Sequence, residues 1–122
     1  MKKVLVLGAG RSASALIQYL LEAAGKENWE ITVGDFDKAL ALKKIGKNPQ
    51  GKAIEFDVNN IELRQKLVKE SDLVVSLLPV QFHPLVAGDC VQFKTNMVTA
   101  SYISTEMAAL DPIAKGRINI AE

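Results

Sequence analysis

Apolar and polar positions along this chain follow two alternating rhythms. Short, mostly apolar runs read as β-strands: Val4 to Leu7, Glu30 to Gly34, Ala53 to Phe56, Leu73 to Leu78 and Met97 to Ala100. Between them the apolar residues recur at helical spacing. Ala13, Leu16, Ile17, Leu20, Leu21 and Ala24 form one such stripe, and Gly25 is its expected end. Asp37 is placed to cap a second helix running to about Ile45, with Leu40 and Leu42 as its apolar residues. Gly46 to Gly51, with Pro49, is a turn-rich loop. Ile61 to Glu70 carries Leu63, Leu67 and Val68 at helical spacing. Pro84 suits the first turn of a helix that reaches about Phe93. Ser104 to Lys115 is helical in pattern, with a kink or break expected at Asp111-Pro112, and Ile118 to Ala121 is a short sixth strand.

Strand and helix alternate almost without exception. That pattern predicts an α/β fold, a doubly wound, mostly parallel six-stranded sheet of Rossmann type with strand order 3-2-1-4-5-6. Leu73 to Leu78 is nearly all apolar, so the fourth strand should be central and covered on both faces. With 122 residues and 48% hydrophobic residues, a single domain with a real core is expected over 1-122.

Charge and cysteine content narrow the class of partner. The formal net charge is +1 and no basic run is concentrated, which argues against nucleic acid. The apolar run after Lys2 and Lys3 stops at Gly8, too short for a signal peptide, and no segment is long enough to span a membrane. The lone Cys90 rules out an internal disulfide and fits a reducing compartment, so a cytoplasmic protein is expected. A homodimer is one assembly the sequence leaves open.

The chemistry concentrates after the first strand. Gly8-Ala9-Gly10-Arg11-Ser12-Ala13 is a G-x-G-x-x-A turn standing between an apolar strand and an amphipathic helix. Gly8 permits the tight turn, Gly10 lets backbone approach a pyrophosphate, and the small Ala13 lets the helix pack closely on the sheet. The free N–H groups of the helix start favour phosphate there. Asp35 ends the second strand about 20 residues on, where this fold places an acid to accept hydrogen bonds from the adenosine ribose. A carboxylate there repels a 2′-phosphate, so NAD is expected over NADP. Arg11 in the glycine loop complicates this, since its guanidinium either pairs with phosphate or stays a solvated side chain. Asp57 and Val58 follow the third strand beside the adenine pocket, where they either contact the base or form an ordinary turn. Leu77, Leu78 and Pro79 follow the fourth strand and face the nicotinamide half of the cleft. Ser101 and Tyr102 bring hydroxyls to the same mouth; the other readings are Pro79 as a strand terminator, Ser101 as turn chemistry and Tyr102 as a surface ring.

Other motifs drop out. Gly46 to Ala53 nearly matches a P-loop, yet a helix precedes it, a strand follows it, and Ala53 stands where Ser or Thr must hold Mg²⁺. One histidine and one cysteine cannot assemble a zinc set of the usual kind. His83 reads better as a capping or packing group than as a general acid or base, and Cys90 as a buried, inert thiol. No catalytic group is identified.

Three blocks carry a family resemblance: Asp72-Leu73-Val74-Val75-Ser76-Leu77-Leu78-Pro79, His83-Pro84-Leu85-Val86-Ala87, and Asn96-Met97-Val98-Thr99-Ala100-Ser101-Tyr102-Ile103. With the glycine loop they resemble the saccharopine dehydrogenase family over the whole chain. The likeness is nearest to the members that release glutamate, including the half found in bifunctional lysine-degrading enzymes. The resemblance implies an NAD(P)-dependent oxidoreductase acting on a C–N bond, which cleaves saccharopine to glutamate and aminoadipate semialdehyde. It implies phosphate contacts at Gly8, Gly10, Ser12 and Ala13, a ribose contact at Asp35, and an adenine corner at Asp57-Val58. It further implies a nicotinamide-side loop at Leu77 to Pro79, and Ser101 and Tyr102 reaching toward an amino-acid substrate. In the family a Gly-Leu-Asp-Pro-Gly stretch and a large substrate domain follow the sixth strand. The chain is therefore expected to be the front cofactor domain of a longer enzyme, binding cofactor without turnover by itself. Two rival expectations are a regulatory nucleotide-binding module of an ion-transport system and a related dehydrogenase for a polyamine or another amino acid.

Overall fold

The computed structural model describes residues 2–10, 13–99 and 120–121. Its elements run β1 (Lys2–Leu7), α1 (Ser14–Glu27), β2 (Trp29–Asp35), α2 (Lys38–Ile45), β3 (Gly51–Glu55), α3 (Ile61–Glu70), β4 (Leu73–Ser76), α4 (His83–Phe93) and β5 (Asn96–Thr99). These five strands are parallel and lie in the order β3-β2-β1-β4-β5. At the β5 edge, Ile120–Ala121 pairs in parallel with Met97 and Val98. The expected strand from Ile118 is described only at these two residues. The expected helix from Ser104 to Lys115 lies outside the described residues.

β1 holds the centre because it is apolar on both faces and therefore needs cover on both. Val4 and Val6 point into a layer with Leu16, Ile17, Leu20 and Leu21 of α1 and Ile31 and Val33 of β2. Leu5 and Leu7 point the other way, into a layer with Val68 of α3, Val86 and Cys90 of α4, Val74 and Met97. Each fully buried Leu or Ile contributes about 1.5–3 kcal/mol by leaving water. β4 is buried along its whole length, as its composition predicts.

Several boundaries differ from the sequence pattern, each for a physical reason. α1 runs through Gly25, because its buried face outweighs the cost of about 1 kcal/mol for one helical glycine. It stops at Asn28, whose left-handed backbone (φ 59°) turns its N–H onto the carbonyl of Ala24. α2 buries Ala41 and Ile45, one turn apart, and leaves Leu40 and Leu42 exposed. β3 begins at Gly51, in register with Ile31. A Cβ there would stand 2.4 Å from Ile45, so close packing demands glycine. β4 ends at Ser76, because Pro79 has no N–H to continue a ladder and restricts Leu78 before it. The caps at Asp37, which accepts from Ala39 N at 3.0 Å, and at Pro84 in the first turn of α4 stand as expected.

Candidate functional site

The strand order reverses between β1 and β4, so the chain leaves these neighbours in opposite directions and opens a crevice beyond their carboxyl ends. The loop after β1 lies there. Gly8 has φ +104°, and a Cβ on it would lie 3.0 Å from the backbone C and O of Leu77. Conformation and packing both require glycine. Gly10 is different. Its φ is not positive, and a Cβ on it would meet nothing within 4 Å. Among the described residues nothing crowds position 10, and the loop leaves open space there, as a pyrophosphate cradle would need. Ala13 is fully buried against the sheet, and its N–H closes the turn on the Gly10 carbonyl at 3.0 Å.

Asp35 is tied into this loop. Its Oδ1 accepts from Ala9 N at 2.8 Å and its Oδ2 from Asp37 N at 2.8 Å. Its carbonyl also accepts from Phe56 N at 2.8 Å. The strand-two acid thus hooks the glycine loop to the ends of β2 and β3. Each carboxylate oxygen keeps a second lone pair for a ligand hydroxyl. Sequence spacing identified the acid but not the hook. It also missed Lys44, whose Nζ donates to Ser14 Oγ at 2.5 Å and sets an ammonium against the first turn of α1.

The other expected residues divide. Asp57 is exposed and builds a turn, accepting from Asn59 N at 2.9 Å through Oδ1 and from Asn60 N through its carbonyl. Val58 is packed into the core layer under α3 and α4. Its carbonyl accepts from Arg64 Nη1 at 2.9 Å. Leu77 donates its N–H to the Leu7 carbonyl at 2.7 Å and packs on the α1 side, while Leu78 packs on the α4 side. Pro79 is exposed on the loop above them. His83 is buried and hydrogen-bonds the Leu78 carbonyl through Nε2 at 2.9 Å, so it fastens this loop to α4. Arg11, Ser12, Ser101 and Tyr102 lie outside the described residues.

One buried ion pair had no sequence signal. Arg64 Nε donates to Asp89 Oδ2 at 2.5 Å, joining α3 to α4 and, through Val58, to the loop after β3. Beside it, burial and the neighbouring Asp89 charge push the Cys90 thiol up to about 12, which keeps it protonated and unreactive. Among the described residues no cluster of His, Cys, Asp and Glu could hold a metal ion, and no helix is long and apolar enough to cross a membrane.

A parallel sheet wound on both sides, with a glycine loop opening at its switch point, defines a dinucleotide-binding α/β domain. Comparison with known proteins gives the family. The profile described as "Saccharopine dehydrogenase NADP binding domain" matches residues 4–120, and the chain belongs to that family. Mouse (Mus musculus) mitochondrial alpha-aminoadipic semialdehyde synthase is 40% identical over 111 residues. Saccharomyces cerevisiae saccharopine dehydrogenase [NADP(+), L-glutamate-forming] is 36% identical over 121 residues. The chain spans 12% of the mouse protein and 26% of the yeast one, while 90% and 98% of its own length is matched. The apo structure of a yeast saccharopine dehydrogenase (L-Glu forming) superposes with a TM-score of 0.74 at 34% identity, covering 98% of this chain and 26% of that one.

Proposed function

We propose that this chain is the cofactor domain of a saccharopine dehydrogenase and that it prefers NAD(H) to NADP(H). In the whole enzyme the dinucleotide accepts hydride as saccharopine is cleaved to glutamate and aminoadipate semialdehyde. The observation that carries the reading is the glycine loop itself. Gly10 is required by neither backbone angle nor neighbours, in a chain whose family is named for binding NADP. Asp35, hooked to Ala9 beside that glycine, supports NAD over the NADP of the family's name, because its carboxylate accepts ribose hydroxyls and repels a 2′-phosphate. Gly8, Gly10, Arg11, Ser12 and Ala13 serve the phosphates in this reading, and Leu77, Leu78 and Pro79 border the nicotinamide. Asp57 and Val58 form the corner beside the adenine, Val58 through its backbone. Ser101 and Tyr102 face the amino-acid substrate, and the other wall of that pocket belongs to the rest of the enzyme. A reducing compartment such as the cytoplasm suits the buried Cys90.

Titration calorimetry with both dinucleotides tests this. NAD(H) binds more tightly than NADP(H), and Gly10→Val abolishes both while the melting temperature holds, since its side chain enters open space. The isolated chain forms no NADH from saccharopine and NAD. NADP(H) binding as tight as NAD(H) overturns the preference. A chain that binds neither, or a Gly10→Val variant that binds normally, overturns the cofactor site.

A further inference from the structure

The sheet face that carries Leu5 and Leu7 is not covered evenly. On β1 both side chains belong to the apolar layer under α3 and α4. On β2 and β3 the same face turns polar. The parallel register sets Lys3 of β1 beside Glu30 of β2, and it sets Thr32 between Leu5 and Lys52 of β3. Across the three strands the charges run plus, minus, plus. This floor and the last turn of α3 border a cleft of about 100 Å³, several times the room one water needs. Glu70 lines it from α3, and Leu67 and Ile54 give it apolar walls. Lys3, Glu30 and Lys52 each stand second in their strand, so the cleft lies toward the amino ends of the strands, away from the glycine loop.

These polar groups have not satisfied one another. Register partners on adjacent strands lie close enough for opposite charges to meet. Yet among the described residues the one ion pair is Arg64 with Asp89, and the Thr32 hydroxyl makes no hydrogen bond. We propose that the cleft binds an acidic α-amino acid, a molecule whose single ammonium lies between two carboxylates. Its order of charge, minus, plus, minus, complements Lys3, Glu30 and Lys52. The carboxylates take the two lysine ammonium groups, the ligand ammonium takes Glu30 with Glu70 above it, and the methylenes lie on Leu67 and Ile54. A plain dicarboxylate leaves Glu30 without a cation, and a basic amino acid sets a second ammonium against a lysine. Asp72, the other acid near Lys3, accepts from the Lys3 N–H at 2.8 Å. The site uses none of the cofactor residues, so it stands apart from that reading.

The test is a nitrogen–proton NMR titration of the isotope-labelled chain with L-glutamate, glutarate and L-lysine at constant ionic strength. L-Glutamate gives saturable shifts at the amino ends of β1, β2 and β3 and in the last turn of α3, and it raises the melting temperature. Glutarate, which lacks only the ammonium and α-carbon substitution, binds about tenfold more weakly, and L-lysine more weakly still. Glu30→Gln weakens L-glutamate about tenfold and leaves glutarate no weaker, so the preference between them disappears. Lys52→Gln weakens both alike. Neither side chain is buried, so both variants should melt like the wild type. Absence of saturable shifts overturns the proposal, as does glutarate binding as tightly as L-glutamate. A preference that survives Glu30→Gln overturns it too. So do equal shifts from sodium chloride, which would make the cleft a solvated charged surface only. NAD is titrated separately: a chain that binds NAD and no L-glutamate loses this site and keeps the cofactor site, and the reverse result does the opposite.

Discussion

The two faces of the sheet are built on different principles. The face under α1 and α2 is closed by aliphatic side chains such as Val4, Val6, Ile17, Leu20, Ile31 and Val33. The face under α3 and α4 also has an apolar layer, but both of the buried charged residues described, Arg64 and Asp89, lie among its helices. His83 on the Leu78 carbonyl and Thr95 on the Val68 carbonyl belong to the same side. The first face tolerates conservative change, because an aliphatic layer loses in proportion to the volume removed and the cavity left. The second is conditional, because a charge taken out of water must keep its partner. That conditional side also fixes the loops after β3 and β4, through Val58 and Leu78. The geometry of those two loops therefore depends on the polar face.

The largest effect should come from splitting the buried pair. Asp89→Ala strands the Arg64 guanidinium and is expected to cost about 3–5 kcal/mol, read by urea unfolding. The double change Arg64→Met with Asp89→Leu should recover most of that loss, since an apolar pair of similar volume is often neutral. A single variant as stable as wild type would erase the contrast between the faces. A double variant no better than the single would show that the charges themselves stabilise this side.

Legibility in the sequence follows the same division. The aliphatic face is written in period: Leu16, Ile17, Leu20, Leu21 and Ala24 named the buried side of α1, and the apolar fourth strand named its own burial. The glycine loop and Asp35 were legible because their spacing is itself the chemistry. Arg64 and Asp89 were not, since nothing in a single chain says which of its many charges meet across two helices. The buried face of α2 was not legible either: its apolar residues Leu40 and Leu42 are exposed, and Ala41 and Ile45, one turn apart, are the buried ones. The hook from Asp35 to Ala9 also needed coordinates, because it is a contact with backbone and leaves no mark on residue choice at position 9.

A milder substitution on the aliphatic face sharpens the comparison. Ile17 is fully buried between α1 and the sheet. Ile17→Val removes one methylene and should cost about 0.5–1.5 kcal/mol, with dinucleotide affinity unchanged. The measurement is the urea midpoint with the slope held constant. A loss as large as that of Asp89→Ala would show that the aliphatic layer is the less forgiving of the two.

The last effect is absent at neutral pH and appears only in alkali. Cys90 neighbours Asp89 in α4, and its thiol is raised from 9.0 to about 12 by burial first and the Asp89 charge second. Below pH 9 the thiol is protonated in the folded and unfolded chains alike, so it adds no pH dependence. Between pH 9 and about 12 the unfolded chain releases the proton while the folded chain keeps it. The unfolded state then binds fewer protons, and stability falls as pH rises, by at most about 1.4 kcal/mol per pH unit. Cys90→Ala removes this slope, though it lowers stability at every pH by its lost packing. The readout is therefore the difference between the two proteins, followed by urea unfolding from pH 7 to 10.5. The gap should stay constant up to pH 9 and narrow above it. A gap that stays constant across the range would mean that the thiol ionises as easily in the folded chain as in the unfolded one, and the polar face would then be open to solvent at Cys90.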